Sequence, residues 1–253
     1  MARRDGDGWD RLFFEFERAQ ARRSYLVCSL PRSGSSLLCE LLGATGVAGA
    51  PAEFFHPDKM AALQERWGTA TLDEYVRELL ARKTSPNGVF GAKAHWGQYQ
   101  PAFGEADPRT VFPDARMVLI TRRDRLRQAI SWVRALQTSK WADQDRPPVE
   151  RPAAFDYEDI TAKLMRLDRE EEVWEALFER YGIVPHRVVY EDFVEARDET
   201  VRAVLGALGI DAPSDLHLPA PALGRQADEL SDEWVERYLA ESATSPAPAR
   251  GDA

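Results

Sequence analysis

Between Tyr25 and Leu42 the chain passes from a short apolar stretch through a polar turn into a helical repeat, and that order admits few folds. Tyr25-Leu-Val-Cys28 is rich in strand-forming residues, while Leu37, Leu38, Leu41 and Leu42 recur at helical spacing. The turn between them is Pro31-Arg-Ser-Gly-Ser-Ser36. Gly34 lets the backbone close tightly, so that successive N–H groups converge at a helix start. An anion is favoured there by free donors and by the helix dipole. Arg32 adds a fixed charge, and Ser33, Ser35 and Ser36 add hydroxyl donors. The turn lacks the first glycine and the lysine of Gly-x-x-x-x-Gly-Lys-Ser/Thr, which weakens a kinase reading. Arg32 also follows Cys28 too closely for a Cys-x5-Arg phosphatase cradle.

Further strands are expected at Val89 to Lys93, Ala115 to Thr121 and His186 to Tyr190. The third of the four strands is continuously apolar enough to be covered on both faces, as in a parallel sheet. Helical spacing marks Met60, Leu63 and Trp67, then Leu72, Tyr75, Val76 and Leu79. It returns from Leu126 to Trp141, from Ile160 to Tyr181 and through Val201 to Leu208. Strands alternating with helices predict an α/β fold: a mainly parallel central sheet flanked by helices in three layers. A ligand site then lies beyond the carboxyl ends of the strands. Residues 1–23, with Trp9, Leu12, Phe13 and Phe16, read as an amphipathic helical extension. Residues 24–241 form one domain, and the Ala-, Pro- and Ser-rich residues 242–253 read as a disordered tail.

Charge and cysteine usage narrow the function. Lys and Arg total 33 against 42 Asp and Glu, a net charge of -9, which argues against nonspecific nucleic-acid binding. The two cysteines, Cys28 and Cys39, both lie in apolar stretches and read as buried free thiols rather than a disulfide framework. No metal site is suggested. No segment matches a signal peptide or approaches the ~20 apolar residues of a membrane span, so a cytoplasmic protein without stable membrane insertion is expected.

Several segments carry a resemblance. Pro31-Arg-Ser-Gly-Ser-Ser36 resembles the 5′-phosphosulfate loop of sulfotransferases. Arg122 or Arg123 followed by Ser131 resembles their 3′-phosphate motif, and Tyr190-Glu-Asp192 resembles a strand-end segment of several of them. More narrowly, five further stretches are similar to the mycobacterial trehalose 2-sulfotransferase family. These are Gly49-Ala-Pro-Ala-Glu-Phe-Phe55, Pro86-Asn-Gly-Val-Phe-Gly-Ala-Lys93, Gln128-Ala-Ile-Ser-Trp132, Arg134-Ala-Leu-Gln-Thr138, and Arg225-Gln-Ala-Asp228 with Ser231-Asp-Glu-Trp234. The resemblance runs from about Tyr25 to Tyr238.

It implies a P-loop-like fold and 3′-phosphoadenosine 5′-phosphosulfate (PAPS) as sulfuryl donor, released as 3′-phosphoadenosine 5′-phosphate. The partner is then a small-molecule hydroxyl acceptor that contains a sugar. Arg32 and the amides of Ser33, Gly34, Ser35 and Ser36 would clamp the leaving group. Arg122 or Arg123, with Arg122 the better match, would bind the rest of the nucleotide together with Ser131, Tyr190, Arg225 and Gln226. Lys93 would neutralise charge on the transferring group.

Two residues compete as general base. Glu53 matches the glutamate of the trehalose family, and a pKa raised by Phe54 and Phe55 would suit it. Lys93-Ala-His95 resembles the Lys-x-His of cytosolic sulfotransferases, where the histidine is the base. The expectation is Glu53 as base and His95 as acceptor-positioning group, with Trp96 and Trp132 stacking on the acceptor. Ala50, Ala94, His95 and Gly97 depart from the trehalose pattern, so the acceptor ranges over sugars, glycolipids and glycosylated small molecules. A homodimer is the assembly that the family implies. The alternatives are a P-loop-like kinase or nucleotide-binding protein, and a PAPS-binding module without catalysis.

Overall fold

The computed structural model describes residues 12–141, 152–218 and 229–244. Four strands, β1 (Arg23–Ser29), β2 (Val89–His95), β3 (Ala115–Thr121) and β4 (His186–Val189), form one parallel sheet in the order β2-β1-β3-β4. Ten helices are described around it. They are α1 (Ser35–Ala44), α2 (Pro57–Trp67), α3 (Leu72–Lys83), α4 (Trp96–Phe103), α5 (Pro108–Val111), α6 (Arg125–Thr138), α7 (Tyr157–Tyr181), α8 (Tyr190–Glu195), α9 (Arg197–Leu208) and α10 (Glu229–Thr244).

Strand alternation divides the core into two layers. Leu26 and Cys28 of β1 face one apolar cluster with Met117, Leu119, Phe90 and Trp174. Tyr25 and Val27 face the other with Val118, Ile120 and the leucines of α1. Both faces are covered, as the unbroken apolar runs predict. Gly91 on β2 is required by this packing, since a Cβ there would lie 2.4 Å from the ring of Tyr25. Cys28 and Cys39 are both buried.

Local signals fix the helix ends. The Thr71 hydroxyl accepts from Glu74 N while the Glu74 carboxylate accepts from Thr71 N, which starts α3. Asp156 caps α7 through Asp159 N, and Gly182 closes that helix with left-handed backbone. Helix α4 was not legible from spacing, because Gly97 and Pro101 interrupt its pattern.

The ends of the chain differ from expectation. Residues 1–11 lie outside the described residues, but beyond Phe13 the extension is an irregular strap, not a helix. The strap is held by backbone bonds, Phe16 N to Arg82 O at 2.9 Å and Ala19 N to Ala81 O at 3.2 Å. The buried Lys83 ammonium also donates to the carbonyls of Leu12 and Phe14. Such contacts leave no use for a separate amphipathic face. At the other end, helix α10 continues to Thr244, past the expected start of the tail at 242. Residues 245–253 lie outside the described residues. No described helix is long and apolar enough to cross a membrane.

Candidate active site

The carboxyl ends of β1, β2 and β3 bring three groups of side chains to one side of the sheet. The first is the turn after β1. Gly34 takes φ 85, and a Cβ there would lie 2.4 Å from the Tyr190 ring, so glycine is needed both for the backbone and for the close approach of that ring. Arg32 also takes the left-handed region, with φ 62, a conformation that surrounding contacts must enforce. Its Nε donates to Ser131 Oγ at 2.9 Å and its Nη1 to Trp141 O at 2.6 Å. The guanidinium therefore leans toward α6 rather than curling over its own loop, and its bond to Ser131 joins two residues that the resemblance had assigned to opposite ends of the nucleotide.

The second group follows β3. Arg122 continues the parity of Val118 and Ile120, so it points to the face that α1 covers. Its guanidinium lies 4.9 Å from the Tyr190 ring centroid, on the ring that also covers Gly34. Burial lowers the Arg122 pKa, only partly offset by Tyr190, Asp124 and Glu191. Arg123 points the other way and pairs with exposed Asp192. Glu191 accepts from Arg123 N at 3.0 Å and Asp124 N at 3.2 Å, fixing the turn that leads into α6. The segment Tyr190 to Asp192 thus locks the arginine turn to the glycine turn.

The third group is built along the free edge of β2. Lys93 N donates to Ala52 O at 2.9 Å and Gly49 approaches Val89, so residues 49–52 run beside the strand. Phe54 and Phe55 turn into the core, where Tyr75 OH donates to Phe54 O at 2.6 Å. Glu53 between them and the strand turns toward Lys93. The Lys93 ammonium pairs with Glu53 Oε1 and donates to Ser36 Oγ at 2.9 Å, tying the carboxylate to the turn. Lys59 Nζ lies 3.4 Å from Glu53 Oε2, and Gln98 Nε2 donates to the same oxygen at 3.4 Å.

This geometry corrects the expected electrostatics of Glu53. Burial by itself would raise its pKa, but Lys93, Lys59 and His95 override it and hold the carboxyl well below the usual range. The two phenylalanines do not surround the carboxylate, because their rings belong to the core. His95 Nε2 is 3.8 Å from Glu53 Oε1. The other ring nitrogen, Nδ1, sits 3.2 Å from Ser29 O and 3.0 Å from Ser29 Oγ. A carbonyl only accepts, so Nδ1 carries the proton and the Nε2 lone pair faces the Glu53 side. Burial first, and Lys93 second, lower the His95 pKa to about 4, so the ring is neutral at pH 7.

The two expected stacking platforms are occupied. Trp132 is 5% exposed, and Arg166 and Lys163 lie 5.0 and 5.7 Å from its ring centroid. Trp96 packs edge-on against Trp174 at 5.2 Å. Arg225 and Gln226 lie outside the described residues. Sequence reasoning missed Lys59, Gln98 and Ser29. Ser29 could have been found from strand register, since it pairs directly with His95.

The chain is similar to known proteins over most of its length. The profile of the Stf0 sulphotransferase family matches residues 24–241. The trehalose 2-sulfotransferase of Mycobacterium tuberculosis (strain Erdman) is 32% identical over 262 residues, covering 88% of this chain and 97% of that protein. The trehalose 2-sulfotransferase of Mycolicibacterium smegmatis is 35% identical over 253 residues, covering 85% and 94%. Among solved structures, a sulfotransferase from Alicyclobacillus acidocaldarius covers 89% of this chain and 94% of its own, with a TM-score of 0.49 at 12% identity.

Proposed function

The chain belongs to the Stf0 sulphotransferase family and is a sulfotransferase, and from that premise we propose that it moves the sulfuryl group of PAPS to a hydroxyl of a carbohydrate, with Glu53 as general base. The observation that carries this reading is the continuous chain of contacts Ser36–Lys93–Glu53–His95, which joins an anion-binding turn to a base.

The residues present fit the sulfuryl donor. Among the described residues Ser33 Oγ and Arg122 Nε are buried without a hydrogen-bond partner, the first in the glycine turn whose helix dipole favours an anion and the second at the Tyr190 ring that covers that turn. Ser33, Gly34, Ser35, Ser36 and Arg32 would hold the 5′ end of PAPS. Arg122 and Ser131 would take its 3′-phosphate, with Tyr190 as the wall between them. Arg225 and Gln226 complete the set that the family resemblance suggests. PAPS supplies a sulfuryl group on a good leaving group.

The chain's own part is to fix and to move charge. In the absence of ligand Lys93 neutralises Glu53. A negatively charged group at the turn competes for the Lys93 ammonium, which already touches Ser36, and a carboxylate relieved of that cation becomes a stronger base. A hydroxyl oxygen about 2.8 Å from Glu53 Oε1 can donate its one proton to that carboxylate. His95, held by Ser29, would accept from a neighbouring hydroxyl of the acceptor and so orient it while Glu53 takes the proton of the attacking one. Trehalose, the acceptor named for both relatives, is the first candidate.

The test is incubation with isotopically labelled PAPS and a panel of disaccharides and glycolipids, alongside thermal melting with 3′-phosphoadenosine 5′-phosphate. Stabilisation by the nucleotide and label on a sugar are expected. Neither stabilisation nor transfer would overturn the proposal, and stabilisation without transfer to any sugar would overturn its acceptor half.

A further inference from the structure

The Trp132 ring is covered by a guanidinium that the proposed reaction leaves unused. Arg166 stands on α7, and its Nη2 lies 3.4 Å from where a Cβ on Gly97 would be. Gly97 is two residues past His95, and Trp132 directly follows Ser131. The Arg166 head therefore fills the space between the segment that carries His95 and the segment that carries Ser131. Its Nε donates to Glu170 Oε1 at 2.9 Å, and among the described residues no acceptor is bonded to Nη1 or Nη2. The Arg166 side chain is 56% exposed, whereas that of Glu170 is 7% exposed and leaves its Oε2 without a partner.

An ordinary surface ion pair would not look like this. One edge of the guanidinium is anchored by a buried carboxylate, and one face rests on a buried indole. The remaining nitrogens lie beside Gly97, two residues past His95, and bond no acceptor among the described residues. Such a planar fork is held in place before any ligand arrives, so little freedom is lost when it bonds one. An anionic acceptor is disfavoured there. Glu170 offsets the Arg166 charge, the chain carries a net charge of -9, and the sulfuryl donor brings further negative charge close by. A neutral pair of adjacent hydroxyls matches the two free nitrogens.

We propose that Arg166 is a specificity-determining residue of the acceptor site, whose Nη1 and Nη2 donate to two neighbouring hydroxyl oxygens of a neutral sugar and so hold a further hydroxyl at Glu53. This rests on the sulfotransferase reading above and assigns the acceptor class to a residue outside the expected stacking tryptophans. Gly97 adjoins the same group, since a Cβ there would sit at ordinary contact distance, 3.4 Å, from Nη2.

The experiment uses the full chain, labelled PAPS, the disaccharide that the wild type sulfates fastest, and analogues of it lacking one hydroxyl each. Hydrogen bonds from a charged donor are worth enough to predict a loss of about ten- to a hundredfold in kcat/KM for Arg166→Gln. The loss should fall on the acceptor KM, with kcat, the KM for PAPS and the melting shift from 3′-phosphoadenosine 5′-phosphate unchanged. One deoxy analogue should cost the wild type about tenfold and cost Arg166→Gln nothing. Arg166→Lys keeps a cation opposite Glu170, so it tests the fork without leaving that carboxylate unpaired, and it should show the same KM effect. An unchanged acceptor KM in both variants, or equal losses on every deoxy analogue in variant and wild type, would overturn the assignment. If the wild type itself labels no sugar, the acceptor reading fails first; transfer by the wild type with unaffected variants sinks only the role of Arg166.

Discussion

Replacing Lys93 by Met tests whether the contact chain through Glu53 is an energetic unit. The Lys93 and Glu53 side chains are 4% and 17% exposed, so the pair is largely withdrawn from water. Removing one partner of a buried pair costs roughly 3–5 kcal/mol, mostly because the other charge is left uncompensated. Lys59 and Gln98 still face Glu53, each at 3.4 Å, which places the expected loss near the lower end, about 3 kcal/mol. For a chain of this size that corresponds to a melting temperature lower by roughly 6–12 °C. The double variant Lys93→Met/Glu53→Gln leaves no stranded charge, so it should recover about 2 kcal/mol relative to the sum of the single losses.

The loss in Lys93→Met should also depend on pH in a defined direction. In the wild type Glu53 has a depressed pKa, so its contribution is present above the unfolded value and vanishes as pH falls through the low folded value. In Lys93→Met burial of the carboxyl meets less opposition and its pKa rises, so the variant loses less, or gains, on acidification. The stability gap between the two proteins should be widest near pH 7.5 and should narrow below about pH 5. Urea unfolding of wild type, both single variants and the double variant at pH 7.5 and 4.5 measures every term. Strict additivity of the two substitutions, or a gap independent of pH, would refute the reasoning.

Three shorter predictions concern the neighbouring groups. Above its unfolded value of 6.5 His95 costs nothing, but between 6.5 and its folded value of about 4 only the unfolded chain takes the proton, so the native state loses stability on acidification. His95→Asn should therefore flatten the pH dependence of unfolding by roughly 2 kcal/mol between pH 7 and 5, whereas an unchanged slope would mean that His95 titrates normally. Gly34→Ala meets both a positive φ and the Tyr190 ring. It should cost about 1–2 kcal/mol of stability and at least tenfold in affinity for 3′-phosphoadenosine 5′-phosphate by calorimetry, and full affinity would remove the turn from the site. Arg122→Gln should weaken that nucleotide about ten- to a hundredfold while barely affecting adenosine 5′-phosphate, and exposed Arg123→Gln should leave both unchanged; the reverse pattern would exchange their roles.

The sheet and the turn were legible because they depend on local pattern. Continuous apolar runs at Tyr25 to Cys28 and Ala115 to Thr121 announce strands covered on both faces, and a glycine before leucines at helical spacing announces an anion turn. The preference for Arg122 over Arg123 came from the family resemblance alone; the parity of Val118 and Ile120 carried past the strand end, which puts Arg122 on the inner face, was a signal left unread. What spacing could not supply is the partner of each charge. Glu53 reads as a carboxylate beside two phenylalanines until backbone pairing at Ala52 brings Lys93 against it. Arg166 and Glu170 read as an ordinary ion pair one turn apart on a helix, and only the approach of Gly97 and Trp132 from two other segments gives them a place. The strap after Phe13 hides for a similar reason, since its backbone bonds go to helix-end carbonyls and its anchor is the side chain of a distant lysine.

The bond from Lys93 N to Ala52 O has an evolutionary corollary. It acts as a length gauge: Glu53 is the next residue after the last fixed point, and the chain turns at once beyond it, Phe54 N donating back to Ala52 O at 3.0 Å. A residue inserted between that point and the carboxylate would take the place of Glu53 beside Lys93 and carry Glu53 into the turn that leads to the core. Relatives of this chain should therefore tolerate gaps between α1 and Gly49, and again beyond Phe55, yet keep the count from 52 to 55 unbroken.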